Sequence, residues 1–203
     1  MQATRILLVD DDRLVLATLA ASLAQAGYAV HTAKSAEEAE DLLASGMRPD
    51  LVLLDVRMPG QGGLYLAQRL RELDHIAFVM LSAFGDADTV QTAIAHGALA
   101  FLVKPLEEAQ LLPAIVAALA RARELDGLRA SRLQLQTALD NERNISVAVG
   151  ITMVQYRLER LAAFDQLRRA ARSRNLRLAD LASEVVRLCE LTTAETGKPS
   201  NTG

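Results

Sequence analysis

Reactive side chains stand where four short apolar runs stop. Ile6-Leu7-Leu8-Val9 leads into Asp10-Asp11-Asp12, and Leu51-Val52-Leu53-Leu54 leads into Asp55. Phe78-Val79-Met80-Leu81 leads into Ser82, and Phe101-Leu102-Val103 into Lys104-Pro105. Carboxylates, a hydroxyl and an ammonium together suit a divalent cation and a phosphoryl group. The acids offer hard oxygen ligands, while the ammonium and hydroxyl can hold phosphate oxygens. Such groups act together only if the fold gathers them. An open parallel sheet does so, because its ligand crevice lies outside the carboxyl ends of its strands.

The elements that would do the gathering are visible up to about residue 105. Apolar runs predict strands near 5–9, 29–33, 51–55, 77–81 and 100–104, and helical patterns fall near 13–26, 35–45, 62–72, 87–96 and from 107 onward. This alternation predicts βαβ units, and runs apolar on both faces at 51–54 and 77–81 predict central strands covered by helices. The expected fold is α/β, a doubly wound five-stranded parallel sheet of order 2-1-3-4-5. In that order the first and third strands are neighbours, so Asp10, Asp11 and Asp55 converge. Clustered anions repel unless a cation joins them, which predicts Mg²⁺ held by carboxylates, a backbone carbonyl and water. Asp12 is expected to cap the first helix and Asp86 the fourth, Gly27 to end the first helix in a left-handed conformation, and Ser35-Ala36-Glu37-Glu38 to form a capping box. Pro59-Gly60 and Gly62-Gly63 are expected to loosen the loop after the third strand.

Beyond Pro105 no strand signal returns. One long helix is predicted from Glu107 to about Asn144, with Gly127 as a candidate break. Leu125, Leu128, Leu135 and Leu139 fall at coiled-coil spacing, interrupted by Arg132. That pattern predicts either a homodimer through this helix or a helix packed on its own chain. Periodicity then predicts helices at 145–157, 160–173 and 177–190, a small three-helix bundle. The expected divisions are a domain at 1–120, a helical linker at 121–144, the bundle at 145–190 and a flexible tail at 191–203.

Composition bounds the remaining choices. Apolar residues make up 51% of the 203 residues, enough for a core, and the single Cys189 excludes a disulfide framework or a thiolate zinc site. No apolar run is long enough to span a membrane, and the N-terminus enters a strand without a signal-peptide pattern, so a cytoplasmic address and no membrane partner are expected. The net charge of −3 is divided unevenly: residues 1–120 hold eight Lys/Arg and fifteen Asp/Glu, and residues 121–203 hold fourteen and ten. Residues 157–177 contain seven arginines (Arg157, Arg160, Arg168, Arg169, Arg172, Arg174 and Arg177) against Glu159 and Asp165. Such a group is expected either to meet a polyanion or to form a solvated helical surface.

Over residues 4–120 the chain resembles the receiver domain of two-component response regulators. The matching pieces are Val9-Asp10-Asp11, Leu54-Asp55-Val56-Arg57-Met58-Pro59, Leu81-Ser82-Ala83 and Phe101-Leu102-Val103-Lys104-Pro105. The resemblance implies a flavodoxin-like fold and a phosphoryl group accepted by Asp55 from the phosphohistidine of a sensor histidine kinase. It implies a metal held by Asp11, Asp55 and the Arg57 carbonyl, with Asp10 acting largely through water. It also implies that Ser82 and Lys104 bind the phosphate and that Phe101, in place of the more frequent tyrosine, turns inward as a switch. A signal-transduction regulator rather than an enzyme follows, with at most self-phosphorylation and slow autodephosphorylation.

Residues 145–188 resemble the ANTAR domain, a three-helix output module of transcription antiterminators that binds RNA hairpins. The resemblance rests on Ala148-Val149-Gly150-Ile151-Thr152-Met153, Ala163-Phe164, Leu167-Arg168-Arg169-Ala170-Ala171, Asn175, Leu178 and Ala179-Asp180-Leu181-Ala182. Three positions depart from the family pattern. Val149 stands where a basic residue is frequent, and Arg157 and Glu159 stand where a turn glycine and a Ser/Thr cap are common. The expected function is a phosphorelay response regulator whose output binds RNA. The alternatives are an output that binds protein or dimerises without nucleic acid, a DNA-binding helix-turn-helix, and a metal-dependent phosphatase using Asp55 transiently.

Overall fold

The computed structural model describes residues 3–60, 62–83, 85 and 87–196. Asp86, the expected cap of the fourth helix, and residues 197–203 of the tail expected at 191–203 lie outside these, while residues 191–196 of that tail are helical. The chain divides into two compact units, Met1–Gly127 and Leu128–Gly203.

The first unit alternates β1 (Arg5–Val9), α1 (Arg13–Gln25), β2 (Ala29–Ala33), α2 (Ala36–Ala44), β3 (Leu51–Asp55), α3 (Gly62–Arg69), β4 (Phe78–Ser82), α4 (Ala87–Ala95) and β5 (Phe101–Val103). It also holds the start of α5 (Glu108–Tyr156). The five strands are parallel in the order β2-β1-β3-β4-β5. This is the doubly wound sheet the sequence predicts.

The period-2 alternation of strand side chains divides the core into two layers. Leu7, Val9, Val52, Leu54, Phe78 and Met80 meet Leu43 of α2 and Leu66 of α3 on one face. Ile6, Leu8, Leu51, Leu53, Val79 and Leu81 meet Leu16, Leu19 and Leu23 of α1 and Leu111, Ile115 and Leu119 of α5 on the other. Burying one such side chain contributes roughly 1.5–3 kcal/mol, so these layers hold the strand ends in register.

Local signals act as expected. Asp12 caps α1 by accepting hydrogen bonds from the backbone N–H groups of Leu14 at 2.8 Å and Val15 at 3.4 Å. Ser35 caps α2, accepting from Glu38 N at 3.2 Å, while Glu38 reaches back to Lys34 N at 2.9 Å. The reciprocal bond of this box thus falls one residue before the cap. Gly27, at φ +90°, closes α1 in the left-handed conformation.

After α3 the chain adds a π-helical turn over Leu70–Asp74. Arg69 ties this turn to α2, pairing with Glu40 at 2.8 Å and Asp74 at 3.3 Å. The sequence pattern carried no sign of the widened turn, which leaves the apolar spacing intact.

In the second unit, α5 continues to Tyr156 and is followed by α6 (Arg160–Ser173) and α7 (Leu178–Thr196). The helix passes through Gly127 and across 144–145 without a break. A helical glycine costs about 1 kcal/mol, less than interrupting a long run of good helix formers. The core of this unit is rich in alanine: Ala148 and Val149 lie on α5, Ala163, Leu167 and Ala171 on α6, and Leu181 and Ala182 on α7. Val149 is therefore a core residue here, 5% exposed, where a basic side chain would need to be buried.

Both turns of the bundle rest on a left-handed residue: Arg157 at φ 51° and Asn175 at φ 53°. Asparagine tolerates that region, whereas arginine has no local compensation. Glu159, the N-cap of α6, makes no side-chain capping bond. Arg157→Gly should stabilise this unit by about 0.5–1 kcal/mol, the relieved strain being partly offset by the looser unfolded chain. A thermal melt followed by circular dichroism checks this; an unchanged or lowered transition refutes it.

Candidate functional site

The register of the sheet assembles the first site. Val9 pairs with Leu54 across β1 and β3, so Asp10 and Asp55 leave neighbouring strands at the same level. Asp55 in turn pairs with Leu81, and Ser82 with Val103, which brings Ser82 and Lys104 to the same edge. Ligand oxygens of Asp10, Asp11 and Asp55 lie within 4.8 Å of one another. Asp10 and Asp55 are buried and Asp11 is exposed at the mouth.

Lys104, joined to Pro105 by a cis peptide, ties these acids together. Its Nζ lies 2.6 Å from Asp10 Oδ2 and 3.2 Å from Asp55 Oδ1. The other oxygen of Asp10 accepts from the Asp12 N–H at 3.0 Å. Ser82 is fully buried and its carbonyl accepts from Lys104 N at 2.8 Å. Phe101 is half-buried against the core layer that holds Met80, its partner across the sheet. Arg57 lies beyond the nucleophile candidate, its backbone N–H donating to the Asp55 carboxylate.

Burial pushes the Asp55 carboxyl above its ordinary value, with the Asp10 charge adding to the rise; Lys104 and the Arg57 N–H only partly counter it. Burial alone would lower the Lys104 ammonium, but the Asp10 hydrogen bond and the charges of Asp55 and Asp10 outweigh it and hold Lys104 above 10.5. The consequence for stability has a definite sign. Between 3.8 and the raised value, folded Asp55 keeps a proton that the unfolded chain releases, so stability falls as pH rises through that window. Asp55→Asn should therefore melt higher than wild type in chelator at neutral pH. The gain should vanish below the ordinary carboxylate range; a lower transition for Asp55→Asn at neutral pH contradicts it.

Gly63 supports the site in a way the sequence did not reveal. A Cβ there would overlap the Asp55 carbonyl oxygen, so only glycine lets the start of α3 close against the end of β3. Gly63 thus packs tightly rather than loosening the loop, while Gly62, at φ +73°, has open space beside it. The available signal was the pair's position at a helix start shortly after Asp55.

Three carboxylates form an all-oxygen set of the kind that hard divalent cations take. The same edge offers an ammonium and a hydroxyl for a phosphoryl group. Residues 6–116 match the family described as the response regulator receiver domain, and residues 133–186 match the ANTAR domain. The chain is a response regulator with a receiver and an ANTAR domain. Among its relatives, the transcriptional regulatory protein PdtaR of Mycobacterium tuberculosis is 33% identical over 183 residues, covering 90% of this chain and 89% of that protein. The transcriptional regulatory protein AruR of Pseudomonas aeruginosa is 36% identical over 112 residues, 53% of this chain and 46% of its own. Among solved structures, a CheY-like receiver domain protein from Methanospirillum hungatei aligns with TM-score 0.56 and 25% identity, covering 61% of this chain and 98% of its own. Chemotaxis protein CheY4 of Vibrio cholerae aligns with TM-score 0.54 and 28% identity, covering 58% and 99%.

The ANTAR unit of this response regulator places all seven predicted arginines on its exposed surface. They are not electrostatically equal. Arg177 is held by Asp180 through two bonds of 2.8 Å, and Arg174 pairs with Glu184 at 2.9 Å. Arg157, Arg160, Arg168, Arg169 and Arg172 have no ion pair among the described residues. Arg168, Arg169 and Arg172 lie away from the buried stripe of Ala163, Leu167 and Ala171. Leu128, Leu135 and Leu139 of α5 are also exposed, at 60%, 67% and 61%. Among the described residues, no helix is long and apolar enough to cross a membrane.

Proposed function

We propose that this response regulator takes a phosphoryl group on Asp55 from a sensor histidine kinase and thereby controls an RNA-binding, transcription-antitermination output. The observation that carries the reading is the convergence of Asp10, Asp11 and Asp55 within 4.8 Å around Lys104, in one chain with an output surface of unpaired arginines. An Asp55 oxygen would form the new P–O bond as the P–N bond of the phosphohistidine breaks, the imidazole nitrogen keeping the electron pair. Asp10, Asp11, Asp55 and the Arg57 carbonyl would hold Mg²⁺, which when bound neutralises charge on the transferring oxygens. Lys104 would exchange its carboxylate partners for a phosphate oxygen, Ser82 would donate to another, and Phe101 would repack as the edge closes. The chain then acts as a cytoplasmic signal regulator rather than as an enzyme with a substrate of its own.

All seven arginines belong to the proposed RNA surface, with Arg174 and Arg177 reduced by their acidic partners. Filter retention of RNA hairpins against duplex DNA over a salt series tests this output. Retention of RNA that falls steeply with salt is expected; equal or better retention of duplex DNA, or none, overturns it.

The exposed leucines of α5 favour a second copy as their cover. Phosphorylation would then bias pairing through a local charge change on a two-state surface. Leu135→Lys should abolish the dimer seen by sedimentation. A wild-type mass of one chain, with and without phosphodonor, would exclude this pairing.

A further inference from the structure

Between α5 and the first turns of α6 the output unit carries a cleft of about 660 Å³, within the range of small-ligand sites. Its floor is apolar, with Val149 buried and Ile145 half-buried against the bundle core. Leu161 and Phe164 of α6 form one wall, and Phe164 is 36% exposed, so part of its ring is free to be covered. Glu142, Ser146 and Val149 follow at spacings of four and three along one face of α5, with Asn141 beside them.

The cleft holds one charge of each sign, from different helices. Glu142 stands on α5 and Arg160 at the start of α6, and both are exposed. Neither side chain has an ion pair or a hydrogen bond among the described residues, so the two line one space without closing on each other. A phosphate here would meet the Glu142 carboxylate, and a simple cation would meet the Arg160 guanidinium. Each would be opposed by the charge it leaves unsatisfied. A small molecule that carries both signs a few atoms apart satisfies both at once. Free α-amino acids have that layout, with a carboxylate and an ammonium on one carbon and a side chain beyond.

We propose that this cleft binds a free α-amino acid with a large apolar side chain, and that its occupancy withdraws Arg160 from RNA. The ligand carboxylate meets the planar fork of Arg160, which fits it through two parallel bonds. The ammonium donates to Glu142, and Asn141 and Ser146 offer an amide and a hydroxyl to the same end of the molecule. The side chain covers Phe164 and Leu161 over the floor of Ile145 and Val149. Burial of apolar surface then favours phenylalanine or leucine over glycine. The binding site stands apart from the RNA-binding reading; only the effect of occupancy on RNA rests on that reading.

The test titrates the full chain with amino acids and follows backbone amide signals by NMR. L-Phenylalanine and L-leucine should saturate one site and shift the signals of Glu142, Arg160 and Phe164, with glycine far weaker. Phenylpropionate lacks the ammonium and phenethylamine lacks the carboxylate. Each should bind about tenfold or more weakly than L-phenylalanine, the scale of one charged hydrogen bond lost. Glu142→Gln should lower affinity for L-phenylalanine by a similar factor and leave phenylpropionate unchanged, whereas Arg160→Gln should lower both. The analogue series needs no variant, so it decides the matter even if a substitution disturbs folding by circular dichroism. Saturating L-phenylalanine should also reduce hairpin retention a few-fold and make its salt slope shallower by about one, for one phosphate contact withdrawn. No saturable shift with either amino acid, or equal affinity for phenethylamine or phenylpropionate, overturns the site. Saturation that leaves hairpin retention unchanged overturns the link to RNA alone. Failure of wild type to retain any hairpin overturns the RNA reading, while the titration still decides the site.

Discussion

Asp55→Asn should take up no phosphoryl group from Mg²⁺ and a small phosphodonor, while wild type gains one by intact mass. The expectation follows from the edge of the sheet. Asp55 ends β3 between β1 and β4, with its carboxylate beside Asp10 and Lys104. Asparagine keeps the shape and loses the anionic oxygen that must form the P–O bond. Asp11→Asn should leave the acceptor but slow uptake at least tenfold by removing one of three anionic ligands from the cation site. Together these variants separate the two roles. Uptake by Asp55→Asn equal to wild type would place the acceptor elsewhere; uptake independent of Mg²⁺ would remove the metal from the mechanism.

The double variant Arg168→Ala, Arg172→Ala should bind hairpin RNA about a hundredfold more weakly, from roughly 1.5 kcal/mol for each charged hydrogen bond lost. The slope of log affinity against log salt should also become shallower by about one for each phosphate contact removed. The same exchange at Arg174 and Arg177 should cost only a few-fold, because Glu184 and Asp180 already neutralise those cations. Filter retention across a salt series measures both. Equal losses from the two pairs would show that the tertiary ion pairs do not gate the surface. No loss from Arg168 and Arg172 would remove α6 from the RNA site.

The two halves of this response regulator differed in how far they could be read in advance. The receiver was legible because its signals are local. Buried strands appear as apolar runs, helices as a longer period, and caps such as Asp12 and Ser35 as single residues before them. The 2-1-3-4-5 order is one of the doubly wound orders that strand–helix alternation allows, and the resemblance to receiver domains singled it out. The ANTAR unit was less legible, because its turns use residues that do not announce a turn. Arg157 adopts a left-handed conformation that glycine would have signalled, and Glu159 starts α6 without a capping bond. The continuous α5 likewise hid the join between the linker and the bundle.

What the sequence determined by itself was the set of reactive groups and the strand ends that carry them: Asp10, Asp11, Asp55, Ser82 and Lys104. Side-chain type and period are properties of short stretches, so no distant contact was needed to place them. The tertiary structure alone decided which of those groups touch. It set Lys104 against Asp10 across 94 positions of sequence, pressed Gly63 onto the Asp55 carbonyl, and neutralised two arginines of seven. Such distances depend on how packed helices and paired strands bring remote residues together. Charge and composition, summed along the chain, carry no record of that.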